Sequence, residues 1–157
     1  MVADTGDPSP DLEMGAYAAL QPQTPKVKRK KIYYGLGVRY SDTTSYQLRI
    51  YPARKFWELV KDPRGGVGPT VIDSGTSSKI KNTIGSGNYL FLRAFDKTAT
   101  STALAVSVNN FSLKRTTDTV SLPDGKKTVV MVGATDGYAK DAVVAFDRVS
   151  IRVPSPW

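Results

Sequence analysis

The 157-residue chain contains no cysteine and no histidine, and each absence removes a class of chemistry. Without cysteine there is no disulfide framework and no thiolate nucleophile. Without histidine the commonest metal ligand and the commonest general base are both missing. Zinc sites of the usual kind and histidine-dependent triads are therefore excluded. The lack of cysteine fits a reducing or an oxidising compartment equally and places the protein in neither. Also absent are an apolar run near the roughly 20 residues that a membrane helix needs and an N-terminal apolar stretch of the signal-peptide kind. No segment carries three turns of amphipathic helical periodicity. Glutamate is scarce, Glu13 and Glu58 being the only two.

What the chain does have is period-two alternation. In Ile32 to Tyr51, IYYGLGVRYSDTTSYQLRIY, Ile32, Tyr34, Leu36, Val38 and Tyr40 fall on one side of a strand, with Tyr33, Gly35, Gly37 and Arg39 on the other. After the turn-forming Ser41 to Ser45, Tyr46, Leu48 and Ile50 alternate with Gln47, Arg49 and Tyr51. This pattern predicts a hairpin with one face inward. Further strands are predicted at Leu12 to Leu20, Lys55 to Lys61, Thr70 to Asp73, Tyr89 to Phe95, Ala103 to Asn109, Val129 to Ala134 and Val143 to Val153. Turn signals such as Asp62 to Pro69, Gly85 to Asn88, Asn109-Asn110 and Asp124-Gly125 separate them. Some nine or ten short strands without helices or repeats predict an all-β, two-sheet antiparallel sandwich of jelly-roll type. The length suits one domain. Its expected extent is residues 12–153, after a disordered leader or linker at 1–11 and before a tail at 154–157. The expected core is Leu36, Val38, Leu48, Ile50, Trp57, Leu90, Leu92, Val106, Val108, Val130, Val132 and Ile151. The polar, proline-containing opening suggests a module of a longer protein.

The formal net charge is +8, and most of the excess sits in Lys26, Lys28, Arg29, Lys30 and Lys31. Such a run is either a solvated loop that discourages edge pairing or a polyanion-binding or nuclear-targeting patch, since lysine and arginine release counterions from phosphates.

Catalytic patterns are sparse. A glycosidase needs two carboxylates flanking one bond, and Glu13 and Glu58 lie on separate elements. The stretch Val71 to Ser77, VIDSGTS, is similar to the active-site loop of aspartic proteases, in which two such loops share a proton. Asp73-Ser74-Gly75 would be the loop and Met131-Val132-Gly133 its supporting strand; Asp4-Thr5-Gly6 is a second tripeptide match, and a single lobe would have to dimerise. Gly85-Ser86-Gly87 runs on to Leu90 where a dinucleotide loop needs glycine, and no Gly-Lys-Ser/Thr exists for a phosphate loop. No cofactor is expected, with calcium the one exception to consider. Asp136 and Asp141, bracketing the loop before the last strand, are its candidate ligands.

The order of the pieces, GLGVRY, SYQLRIY, FWELV, GSGNYLFLRAF, ALAVSVNNFSL and AVVAFDRVSI, resembles the concanavalin A-like jelly roll of the laminin-G and 3-keto-disaccharide hydrolase type. The likeness runs from about Leu12 to Val153. That superfamily's Val-Asn-Gly strand end and Phe-Asp pair match Val108-Asn109-Asn110 and Phe146-Asp147, with Asn110 in place of glycine. The resemblance implies the fold; the superfamily hosts lectins, adhesion modules, sensors and glycosidases alike. Sugar recognition combines aromatic faces with a few convergent polar groups. The outward residues Tyr33, Arg39, Gln47, Arg49 and Tyr51, continued by Tyr89, Phe91 and Arg93, are the expected ligand-binding set. The expectation is a non-catalytic module, extracellular or at the cell envelope, that binds a glycan or a protein partner across a concave sheet. Nucleic acid is a minor alternative, and membrane insertion is not expected.

Overall fold

The computed structural model describes residues 2–4, 11–42, 44–63, 68–122, 125–136 and 139–153. The expected tail at 154–157, Thr5-Gly6 and Asp124 lie outside the described residues. Eleven strands form among the described residues: β1 Val2–Asp4, β2 Leu12–Leu20, β3 Ile32–Tyr40, β4 Ser45–Tyr51, β5 Phe56–Asp62, β6 Thr70–Thr76, β7 Asn88–Thr98, β8 Ser101–Val108, β9 Phe111–Asp118, β10 Lys127–Ala134 and β11 Val144–Arg152. Val2–Asp4, inside the stretch expected as leader, pairs with Lys127–Val129. Strand β9, which has few apolar residues, was not expected.

The strands pair antiparallel in two sheets, one in the order β1-β10-β3-β4-β5-β6 and the other β11-β2-β7-β8-β9. The protein is an all-β, two-sheet sandwich. Two meanders, β3 to β6 and β7 to β9, stay within one sheet, while β2, β10 and β11 alternate between sheets. Inward residues from both sheets interdigitate in one apolar cluster that includes Leu12, Ile32, Leu36, Leu48, Ile50, Leu59, Leu90, Leu92 and Val106. Burial of this kind stabilises by about 25 cal/mol per Å² of apolar surface. Tyr34 and Tyr46 also lie in the core, where a buried hydroxyl needs a partner. Tyr34 accepts from Asn88 Nδ2 at 2.8 Å, and Tyr46 donates to Asp118 at 2.7 Å.

Of the twelve expected core residues, ten are buried and Ile151 is half-buried against the cluster. Val132 is 39% exposed. It shares the parity of Val130, but β1 covers β10 only at Lys127 to Val129, so at Val132 the strand is the bare edge of its sheet.

Left-handed residues mark the irregular points. Asn109 and Asn110 have φ of 50° and 65°, so the Asn-Asn turn takes the conformation glycine favours there. Asn109 further receives the N–H of Tyr89 and donates to Lys79 O and Asn88 Oδ1. This pins the 77–88 connection, with buried Ile80, to the core.

Candidate functional site

The outer face of the six-stranded sheet can be read row by row from the strand register. One row is Gly133, Tyr33, Tyr51, Phe56 and Thr76; the next is Met131, Gly35, Arg49, Glu58 and Ser74; the third is Val129, Gly37, Gln47, Val60 and Val71. The first row is aromatic at its centre. Tyr33 and Tyr51 have ring centroids 5.3 Å apart, and Tyr51 and Phe56 5.8 Å. Arginines bracket it: Arg49 lies 4.9 Å from the Tyr33 ring, and Arg54 lies 5.4 Å and 4.8 Å from the Tyr51 and Phe56 rings, distances at which the ring quadrupole attracts a guanidinium.

The polar side chains form two sets of hydrogen bonds. Arg49 donates from Nε and Nη2 to Gln47 Oε1 at 2.9 and 2.7 Å. Gln47 Nε2 donates to Ser45 Oγ at 2.8 Å and Asp62 Oδ2 at 3.0 Å. Tyr51 donates to Glu58 Oε2 at 2.9 Å. Burial, then the bond to Glu58, holds the Tyr51 hydroxyl well above the usual tyrosine range, so it stays a proton donor at neutral pH. Gln47 and Tyr51 are buried beneath this layer, and Tyr33, Arg49, Phe56 and Glu58 are half-buried above it. These side chains are held on their strands by one another.

Of the expected ligand-binding set, Tyr33, Gln47, Arg49 and Tyr51 come together here. Arg39 does not. Its φ is 52°, and the register against β10 slips between Lys127 and Val129. This reverses the alternation and turns Arg39 inward, fully buried. There it donates to Asp96 at 2.8 Å, Thr102 at 3.1 Å and Asp11 at 3.2 Å. Tyr89, Phe91 and Arg93 are also not part of this face. They belong to β7 and point outward from the five-stranded sheet, on the opposite side of the molecule. Tyr89 packs on Tyr17 at 5.1 Å between centroids, and Arg93 lies 5.1 Å from the Phe95 ring. Phe56 and Glu58 were not in the expected set, although their alternation with Trp57 and Leu59 already put them on the outward side.

The other candidates are placed as follows. Asp73 lies within strand β6 rather than in a loop, and bonds Lys114 at 2.6 Å. That bond and the Ser74 N–H hold its carboxyl below the usual range. Met131-Val132-Gly133, expected to support it, lies three strands away beyond β3, β4 and β5. Glu13 and Glu58 occupy opposite sheets. Of the basic run, Lys28 pairs with Asp141, and Lys31 pairs with Asp136 at 3.0 Å. Arg29 donates to Thr24 O and Pro22 O, and Lys26 and Lys30 are exposed. The two candidate calcium ligands thus each meet a lysine. Among the described residues no three acidic side chains cluster as a metal site would require, and no helix is long and apolar enough to cross a membrane.

No family model matches the sequence, and no curated protein matches it. Among solved structures, the chain is similar to a carbohydrate-binding module from Bacillus subtilis, with a TM-score of 0.64 and 10% identity over 96% of this chain and 76% of that one. Sheep galectin-11 in complex with glycerol gives a TM-score of 0.63 and 10% identity, covering 97% of this chain and 96% of that one. An alginate lyase gives 0.60 and 13% identity, covering 96% and 72%. At these identities the likeness is one of fold: a β-sandwich shared by a carbohydrate-binding module, a galectin and a lyase.

Proposed function

We propose that the protein is a non-catalytic recognition module that binds a glycan across the outer face of the six-stranded sheet. The observation that carries this reading is the juxtaposition, on that one face, of the Tyr33–Tyr51–Phe56 row with the Arg49–Gln47–Asp62 and Tyr51–Glu58 hydrogen bonds. The half-exposed rings of Tyr33 and Phe56, seated on buried Tyr51, offer apolar surface to sugar faces. Arg49 spends Nε and Nη2 on one amide oxygen, which fixes its plane and leaves Nη1 for a ligand hydroxyl or carboxylate. Glu58 supplies an acceptor alongside. The concanavalin A-like jelly roll of the laminin-G type remains the family reading that the strand order supports, and the sandwich shared with carbohydrate-binding structures agrees with it.

Catalysis is not part of the proposal. Tyr51 is held protonated, and Asp73 is held ionised by Lys114, the opposite of what a proton-sharing pair of aspartates needs. Polyanion binding through Lys26 to Lys31 is weakened by the pairing of Lys28 and Lys31.

The test is a glycan array followed by titration of any hit against Arg49→Ala and Phe56→Ala. Both residues are half-exposed, so the fold should survive their truncation, whereas buried Tyr51 would confound the result. We expect a loss of about tenfold or more in affinity for each, as befits one charge-assisted hydrogen bond or one apolar anchor. Wild-type affinity in both variants would move the site elsewhere. Capture of a protein by this face in place of any glycan would overturn the ligand class.

A further inference from the structure

A second candidate site lies on the opposite side of the molecule. Strand β11 pairs regularly with β2 from Val144↔Leu20 to Asp147↔Tyr17, and the register then slips before Ser150↔Gly15. The slip is a bulge in which Arg148 takes a φ of 50°. Its N–H bonds to Asp147 Oδ1 at 2.8 Å. Bulges re-aim side chains, and non-glycine residues in the left-handed region persist where the surroundings compensate the strain. Here the effect is to set the Asp147 carboxylate and the Arg148 guanidinium side by side, 3.7 Å apart, both mostly solvent-facing.

Beside them is a cleft of about 420 Å³, lined by Tyr17, Gln21, Gly85, Gly87, Asp147 and Arg148 among others. Tyr17 is its aromatic wall, held between Tyr89 at 5.1 Å and the Arg148 guanidinium at 5.5 Å from its centroid. Gly87 lies against Tyr17, its missing Cβ 3.6 Å from the Tyr17 ring, and around the missing Cβ of Gly85 nothing lies within 4 Å. Any larger residue at these two positions would fill space that now belongs to the cleft. Ligand pockets run from roughly 300 to 1,000 Å³ and combine apolar walls with a few convergent polar groups, so this one suits a single small ring rather than a polymer.

The chemistry of the lining selects the ligand. Arginine presents only donors and aspartate only acceptors, so the adjacent pair matches two neighbouring hydroxyls, each of which donates and accepts. The two charges offset each other, which disfavours a net anion or cation. We infer that the Tyr17–Asp147–Arg148 cleft binds one neutral sugar ring through a pair of vicinal hydroxyls, independently of the glycan face on the other sheet.

The experiment is an amide-resolved NMR titration of the full chain with glucose, galactose, mannose and fructose, and with glucuronate as the charged counterpart. Saturable shifts are expected at Tyr17, Gly85, Gly87, Asp147 and Arg148 with at least one neutral sugar. Arg148→Gly keeps the left-handed backbone at no steric cost and removes the guanidinium, so it should fold and bind about tenfold or more weakly. Asp147→Asn, which keeps the shape of the side chain, should also weaken binding. Arg49→Ala should leave these shifts intact, which separates this site from the first. No saturable shift at these amides, wild-type affinity in Arg148→Gly, or a preference for glucuronate over every neutral sugar would overturn the inference.

Discussion

Arg39 and Asp96 meet at 2.8 Å between the two sheets, the arginine side chain wholly buried and the aspartate about one-third exposed, at 37%. The pair ties β3 of one sheet to β7 of the other, and Asp11 and Thr102 also bond the arginine. Arg39→Ala would leave two carboxylates without their cation and open a cavity the size of the side chain. Because both carboxylates keep some contact with water, the loss should fall below that of a fully desolvated pair, at about 2–4 kcal/mol. Arg39→Lys should recover only part of it, since a lysine cannot reach three acceptors with a planar fork. Urea unfolding midpoints of the two variants would check this; a wild-type midpoint for Arg39→Ala would show the pair to be dispensable.

The fate of Arg39 also shows where the sequence stopped being legible. The alternation of Tyr33, Gln47, Arg49 and Tyr51 put these four on one face of the sheet, as the register has them, because apolar partners on the other parity had to be buried. Alternation cannot foresee a left-handed residue at the end of a strand, and that one dihedral moved Arg39 from the outside to the inside. Nor does it say which sheet a strand joins. Tyr89, Phe91 and Arg93 are outward as expected, yet their outside is the opposite side of the sandwich. Phe56 and Glu58 were in reach of the same reasoning, since Trp57 and Leu59 point inward and leave them on the same outward side. Strand β9 escaped because FSLKRTTD has only two large apolar residues, its pairing being fixed by the neighbouring strand β8 instead.

Core truncations should separate the true interior from the exposed edge. Leu48→Ala removes a fully buried side chain at the centre of the sheet and should cost about 2–5 kcal/mol. Val132→Ala, at the bare edge, should change stability by about 0.5 kcal/mol or less. Equal losses at the two positions would contradict the observed difference in burial.

Acid should destabilise the fold through Asp118. Burial acts to raise its pKa, but bonds from Lys61, Tyr46 and the Val120 N–H outweigh it and leave the carboxyl below its usual value of 3.8. A carboxyl with a depressed folded pKa contributes stability that is fully present above its unfolded value and is lost as pH falls through the folded one. The decline should therefore lie below about pH 4. Denaturation curves between pH 2 and 6 should show it, and Asp118→Asn should flatten it.

Alkali should act through the core tyrosines. Burial pushes Tyr34 and Tyr46 up to about 12, so the folded state holds protons that the unfolded chain gives up near pH 10. Their contribution is intact below pH 10 and is lost as pH rises toward 12. Tyrosinate absorbance near 295 nm should rise in two stages, most of the eight tyrosines first, and these two together with Tyr51 later. A single transition near pH 10 in a chain that stays folded would disprove their protection.

Two glycines on the proposed glycan face should respond differently to the same substitution. At Gly35 a Cβ would press on the backbone of β4, with Leu48 C at 3.1 Å and Arg49 Cα at 3.3 Å, and a paired strand cannot give way without breaking its ladder. Gly35→Ala should therefore be strongly destabilising, by about 2 kcal/mol or more. At Gly133 the nearest atoms a Cβ would meet are at the far end of the Tyr33 side chain, which can swing aside. Alanine in a strand also gains about 0.5–1 kcal/mol over glycine through the unfolded state. Gly133→Ala should thus stay close to wild type in stability while displacing the Tyr33 ring from Tyr51 and Arg49. If the aromatic row is the platform for sugar, that variant loses glycan affinity without losing its fold, with a changed near-UV circular dichroism as the sign that the ring has moved. A variant with the altered aromatic signal but undiminished glycan binding would remove Tyr33 from the site.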